Sequence, residues 1–196
     1  LETYYKKVQN RIDYIDGADL IANEAIEQVV LNGRMRSYGL EVLFRKNSGD
    51  FNGWVAYTLS RSEQQTPGRT PTEIGINNGD WYRSAYDKTH NLAVTGSYKL
   101  NQKWTFGANF TLQTGQPVTF PTGKYVFQGV TVPSYNSRNE DRLPAYHRLD
   151  ISATLTPKHK EKHKYKREWV FGIYNLYSRY NAASISFRQN SETGNN

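Results

Sequence analysis

His159 and His163 stand four residues apart, a spacing that lets two imidazoles on one helical face share a metal ion. Around them lie Lys158, Lys160, Lys162, Lys164, Lys166 and Arg167, opposed only by Glu161. So dense a positive charge repels a cation, and a solvated turn is the simpler reading. Asn77-Asn78-Gly79-Asp80 has the residue types that open a calcium loop. The twelve-residue ligand pattern does not continue, so a plain turn is expected. The chain contains no G-x-S-x-G, H-E-x-x-H, Walker A or G-x-G-x-x-G pattern. No carboxylate pair takes obvious acid and base roles, and there is no Cys. The chain does not read as an enzyme, and no catalytic residue, metal site or cofactor is expected.

Recognition chemistry is better represented. Long polar segments carry Trp81, Tyr82, Arg83, Tyr86, Tyr125, Tyr135, Asn136 and Arg138, with Arg142 close by. Aromatic faces beside hydrogen-bonding groups suit a sugar, a peptide or a metal chelate. Packing of loop against loop is the competing role for each of them. Arg148 and Asp150, two apart, share one face of any strand that holds them, and a structural ion pair is expected there.

The elements that must position these residues are strands. From Trp104 to Leu112 every second residue is apolar: Trp104, Phe106, Ala108, Phe110, Leu112. Thr105, Gly107, Asn109 and Thr111 lie between them, so the segment has one greasy and one wet face. Similar alternation marks Met35 to Lys46, His90 to Leu100 and Tyr146 to Thr156. Glu2 to Arg11, Phe51 to Arg61 and Glu168 to about Tyr180 complete seven candidate strands, and which way these three face is left open. Short connections at Ser48-Gly49, Asn101-Gln102 and the basic run alternate with long ones at 12–34, 62–89 and 115–145. All long connections fall on one side. Loops of that length are uncommon in compact soluble domains, whereas outer-membrane barrels carry them on the exterior side only.

The rest of the composition agrees. Mean hydropathy is −0.78, and no stretch approaches the roughly 20 apolar residues of a membrane helix. A barrel strand escapes that test because only alternate residues meet lipid. Of the 15 Tyr, 8 Phe and 4 Trp, Tyr38, Phe44, Trp54, Tyr98, Trp104, Tyr146 and Trp169 lie near expected strand ends, where interfacial girdles sit. Of the net charge of +7, a net +5 lies between Lys158 and Arg167. Nucleic-acid binders spread their charge over a face, so no nucleic-acid partner is expected. Leu40, Val42, Leu92, Val94, Phe106, Phe110, Leu149 and Ile151 are expected to face lipid. Seven strands are too few to close such a barrel. The chain is therefore expected to be an antiparallel transmembrane meander within a larger barrel, residues 1–196 being a partial C-terminal segment without the last strand.

Six pieces of the sequence, in order, resemble the C-terminal barrel strands of TonB-dependent outer-membrane receptors, particularly those of Bacteroidetes-type bacteria. They are Arg36-Ser37-Tyr38-Gly39-Leu40-Glu41, 53–62 from Gly53-Trp54 to Arg61-Ser62, and Asp87-Lys88-Thr89-His90-Asn91-Leu92. Thr114-Gly115-Gln116-Pro117-Val118, Tyr146-His147-Arg148-Leu149-Asp150, and Tyr174-Asn175-Leu176-Tyr177 with Asn181 follow. The resemblance implies an all-β, 22-stranded barrel around an upstream plug and an outer-membrane location. It also implies active uptake of a scarce nutrient (oligosaccharide, peptide or metal chelate). The implied partners are TonB, reached through an upstream segment, outer-membrane lipid and lipopolysaccharide, and a surface lipoprotein. Some of the loop aromatics then have a third role open to them, at the lipopolysaccharide boundary. A passive porin or structural barrel, and a soluble carbohydrate-binding β-protein, are the alternatives.

Overall fold

A computed structural model describes residues 1–18, 23–158, 165 and 167–185. The strands in chain order are β1 (Glu2–Tyr14), β2 (Val30–Lys46), β3 (Phe51–Gln65), β4 (Trp81–Arg83), β5 (His90–Lys99) and β6 (Trp104–Gln113). Then come β7 (Pro117–Val118), β8 (Pro121–Phe127), β9 (Val130–Tyr135), β10 (Asp141–Arg142), β11 (Tyr146–Leu155) and β12 (Trp169–Ile173). One antiparallel sheet runs β1-β2-β3-β5-β6-β11-β12, with β4 paired to the far end of β3. Strands β7 and β10 pair with each other, and so do β8 and β9, both within the longest loop.

The register joins the alternating apolar residues into one continuous face. Val42 lies opposite Tyr57, Tyr57 opposite Leu92, and Leu92 opposite Leu112. Phe110 pairs with both Val94 and Leu149, and Ile151 with both Ala108 and Ile173. Trp54 lies opposite Thr95 on the other face, which fixes the facing of β3. Tyr5 stacks on Tyr38 at 6.1 Å and fixes that of β1. In β12, Trp169, Phe171 and Ile173 join the apolar face. No residue of the eight expected to meet lipid is buried, and Phe106 is 44% exposed. Among the described residues no second sheet covers them.

The apolar band also crosses the strands obliquely. In β2 it runs from Tyr38 to Phe44, centred at Glu41. The paired row through Glu41 passes Thr58, Asn91 and Gln113 and reaches β11 at Tyr146. In β12 the band centres on Phe171, which lies opposite Ala153, seven residues further along β11. Seven residues rise about 23 Å, while five inter-strand steps span about 24 Å. The strands are therefore tilted about 45° to the band, close to the 35–45° of outer-membrane barrels. A sandwich has no need of such a drift.

Three expectations are corrected. Segments 12–34 and 62–89 are not loop throughout, because pairing continues to Tyr14, Val30 and Gln65. The apolar alternation stops at Tyr38 and Leu59, and backbone pairing continues above it with polar side chains. Segment 115–145 is likewise partly strand, with the β8–β9 hairpin turning at Gln128 (φ 47°) and Gly129 (φ 81°), the sign that two-residue hairpins require. The seventh expected strand, β12, ends at Ile173 rather than near Tyr180. Asn175 (φ 53°) and Ser178 (φ 50°) are left-handed. The Asn175 amide closes a ring with Arg179, donating to its carbonyl at 3.0 Å and accepting from its N–H at 3.1 Å. Asn181 then bonds the backbone of His147 through both ends of its own amide, at 3.1 Å each, in place of a strand neighbour.

Candidate functional site

Beyond the apolar band, β2 and β3 project on the long-loop side and carry β4. On the polar side of this projection the loops build a small core of Leu31, Ile76 and Tyr82, with Ile15 against it. Ile76 precedes a left-handed run, Asn77 (φ 50°), Asn78 (φ 59°) and Gly79 (φ 78°). Asn is tolerated there because its short polar side chain bonds locally. Here the Asn77 side chain bonds another loop. Its Oδ1 accepts from Arg138 N at 2.7 Å, and its Nδ2 donates to Arg138 O at 3.1 Å. The Asn77–Asp80 segment is thus a turn that docks one loop on another.

Tyr82 anchors this cap. It is only 6% exposed. Its hydroxyl donates to Asp13 Oδ2 at 2.8 Å, accepts from Gln64 Nε2 at 2.9 Å and lies 3.0 Å from Thr66 Oγ1. Burial first, and then the Asp13 carboxylate, push its phenol up to about 12. The folded cap therefore holds its proton more tightly than the unfolded chain. The corresponding stability is complete below the ordinary value near 10 and is lost as pH rises through about 12. Tyr82→Phe leaves Asp13, Gln64 and Thr66 short of a partner and should cost the cap ~1–3 kcal/mol. Amide exchange of residues 76–83 should quicken by that measure while exchange in β6 and β11 stays unchanged. Equal protection in both proteins would refute the anchor role.

The other expected recognition residues separate. Arg138 is a tie, donating to Asp13 at 2.8 Å and Asp16 at 2.5 Å. Arg142 is another: it pairs with buried Asp87 and donates to Gly115 O at 2.8 Å and Thr89 Oγ1 at 3.0 Å. Gly115 is required here, because a Cβ on it would lie 1.7 Å from Leu143 O. Tyr86, Tyr125 and Tyr135 are exposed, the last two on the β8–β9 hairpin. Asn136 accepts from Thr122 Oγ1 at 3.1 Å at the base of that hairpin. Trp81 and Arg83 lie opposite Gln65 and Glu63, on the same face as the apolar band. With Tyr82, Arg138 and Asn139 they line a polar groove of about 370 Å³ along the open edge of β4. Asn139 closes one wall by donating to Arg83 O at 2.8 Å.

Sequence reasoning missed Glu63, which is 4% exposed and holds both Arg36 (2.7 Å) and Arg61 (2.6 Å). It also missed the Asp13–Arg138 tie, which joins residues 125 apart. Neither has a local signal. Lower on the polar face Arg148 pairs with Asp150 at 2.9 Å, as expected, and lies over the ring of Tyr174 at 4.0 Å. Asp150 also accepts from Asn175 N at 2.9 Å. Among the described residues no group of three or more potential ligands could hold a metal. His159 and His163 lie outside the described residues.

Residues 1–176 match the family model described as TonB dependent receptor-like, beta-barrel. No curated protein and no solved structure matches the chain.

Proposed function

The chain belongs to the TonB-dependent receptor β-barrel family, and we propose that it forms one arc of the barrel through which such a receptor takes up a scarce nutrient. The family is one of outer-membrane transporters rather than enzymes, and its members contact TonB and membrane lipid. The observation that carries the proposal is the apolar face: it is uncovered, continuous over the six strands β2, β3, β5, β6, β11 and β12, and tilted about 45° to them. Strands β1 and β12 each have one edge without a strand partner among the described residues. Lipid cannot satisfy such edges, so further barrel strands belong beside both, and a plug belongs within the completed barrel.

The nutrient is captured on the long-loop side. Tyr86, Tyr125, Tyr135 and Asn136 are the contacts, because they present aromatic faces and an amide to solvent. Tyr82, Arg138 and Arg142 hold the loops in place behind them. Such a surface suits an oligosaccharide, a peptide or a metal chelate. A surface lipoprotein closing over the loops is part of the same reading. Uptake of labelled compounds from these three classes by cells carrying the full-length receptor tests it. Uptake of one class should stop when the proton gradient is collapsed, and should fall tenfold or more in Tyr86→Ala/Tyr125→Ala/Tyr135→Ala. Uptake indifferent to the gradient would mark a passive pore.

The same reading orients the barrel. Protease added to intact cells should cut around Gly17, Trp81 and Tyr125 and spare the turns at Gly49 and Asn101. The basic connection between β11 and β12, largely outside the described residues, belongs with those turns. Cleavage after Lys160 or Lys164 from outside would invert the topology.

A further inference from the structure

The longest loop carries a sheet of only two strands. Among the described residues β8 and β9 pair only with each other, and every residue from Thr122 to Val130 is exposed. From Gly115 to Ser137 the one charged residue is Lys124, in a chain of which 22% is charged. Register sets Tyr125 opposite Val132 and Phe127 opposite Val130, so these four share one apolar face of the hairpin. A hairpin of two strands is marginally stable in water, and a third strand is what such a pair lacks.

The two edges of the hairpin differ. Phe127 and Val130 flank the two-residue turn, so they exchange hydrogen bonds, and bonded and non-bonded pairs alternate from there. Val126 and Thr131, the next pair, therefore turn their backbone groups outward. Lys124 and Pro133 do the same. Pro133 has no N–H to offer, which blunts the edge of β9. The edge of β8 presents the N–H and C=O groups of both Lys124 and Val126 to solvent.

This chemistry selects among the three nutrient classes. An anionic metal chelate needs free cations, and Arg138 and Arg142 near the foot of the hairpin are held by Asp13, Asp16 and Asp87. A sugar needs hydrogen-bonding groups beside an aromatic platform, whereas Tyr125 and Phe127 lie opposite valines. Trp81, another large ring of the cap, lies under the Arg36 guanidinium at 4.1 Å. An extended peptide uses what the hairpin has: a row of backbone groups and an apolar face for alternate side chains. A second copy fits less well, because pairing two β8 edges brings two Lys124 ammonium groups into one small sheet.

We propose that β8 captures an extended peptide by antiparallel strand addition. The peptide's apolar residues extend the Tyr125–Phe127 face, and its C-terminal carboxylate lies toward Lys124. The inference rests on the nutrient-capture reading above and deepens it by naming the class.

The test is fluorescence anisotropy of a labelled hexapeptide of alternating valine and serine, titrated with the purified full-length receptor in detergent. In antiparallel addition the peptide residues whose N–H groups face β8 put their side chains on the Lys124–Val126 face. With the valines on the apolar face, these residues are the serines. N-methylation of the serines should weaken binding about tenfold or more, and N-methylation of the valines should change it by no more than about threefold. Val126→Pro removes an outward N–H of β8 and should weaken binding about fivefold. Thr131→Pro, directly opposite, makes the same change on the other edge and should leave binding as it was. Equal effects of the two prolines, or of the two N-methylated peptides, would overturn strand addition at β8. Displacement of the peptide by maltohexaose or by a ferric hydroxamate, as readily as by unlabelled peptide, would overturn the class. A receptor that instead dimerises through an edge broken by Val126→Pro would give that edge to a second copy and defeat the proposal. Uptake plays no part in this titration. A receptor that binds the peptide through its backbone and imports nothing loses only the transport reading. Gradient-driven uptake of a sugar or chelate, with no peptide bound, loses only this one.

Discussion

Arg142→Met should loosen the loop cap by ~3–5 kcal/mol, the largest effect expected of any single substitution here. Asp87 is 1% exposed. Strand β3 pairs with β4 up to Glu63 and with β5 down from Leu59, and residues 84–89 bulge out between them. In the gap the Asp87 carboxylate stands in for a backbone carbonyl and accepts from Ser62 N at 2.7 Å. Arg142 neutralises it and bonds Thr89 and Gly115 as well. Met fills much of the arginine's volume but leaves a carboxylate buried without its counter-charge. Exchange of the amides of 62, 84–89, 115, 116 and 118 should rise together, and protease should cut the loops faster than in the parent. In Asp87→Asn/Arg142→Met the orphaned charge is gone while an oxygen remains for Ser62, so most of the loss should return. A double variant as weak as the single one would mean that the lost contacts, rather than the charge, matter.

The same region shows where sequence reading stops. The band strands were legible because their burial is one-sided: lipid against one face, polar surroundings against the other, with period two. Where β2 and β3 leave the bilayer that contrast ends at Tyr38 and Leu59, although pairing continues to Val30 and Gln65. Polar residues on both faces of a paired segment have no period to detect. The end of β12 was misplaced for a related reason. Leu176 and Tyr177 look like further strand, but the left-handed Asn175 breaks the ladder, and only its side-chain ring to Arg179 reveals why. The eight residues expected to take part in recognition all lie beyond the band strands. Their type did not say that Tyr82 would be buried, Arg138 salt-bridged, or Trp81 turned toward the membrane side. Those fates depend on Asp13, Asn77 and Arg36, which lie far away along the chain.

Phe106→Arg tests the membrane face itself. The band of β6 runs from Trp104 to Leu112 and centres on Ala108, so Phe106 lies two residues toward the turn. On a strand tilted about 45° that is roughly 5 Å from the band centre. Near the bilayer midplane an arginine on the lipid face costs ~2–4 kcal/mol. From this depth its side chain reaches toward the turn-side interface, so a value in the lower half of that range is expected. Asn109→Arg, three residues on and facing the polar side, should cost far less, because its guanidinium meets water and Asp150 lies directly opposite. Both variants of the full-length receptor are to be unfolded by denaturant from lipid vesicles and compared with the parent. A penalty at Phe106 with near-neutrality at Asn109 assigns the two faces. Equal penalties would mean that both are packed against protein, and a penalty at Asn109 alone would reverse the barrel.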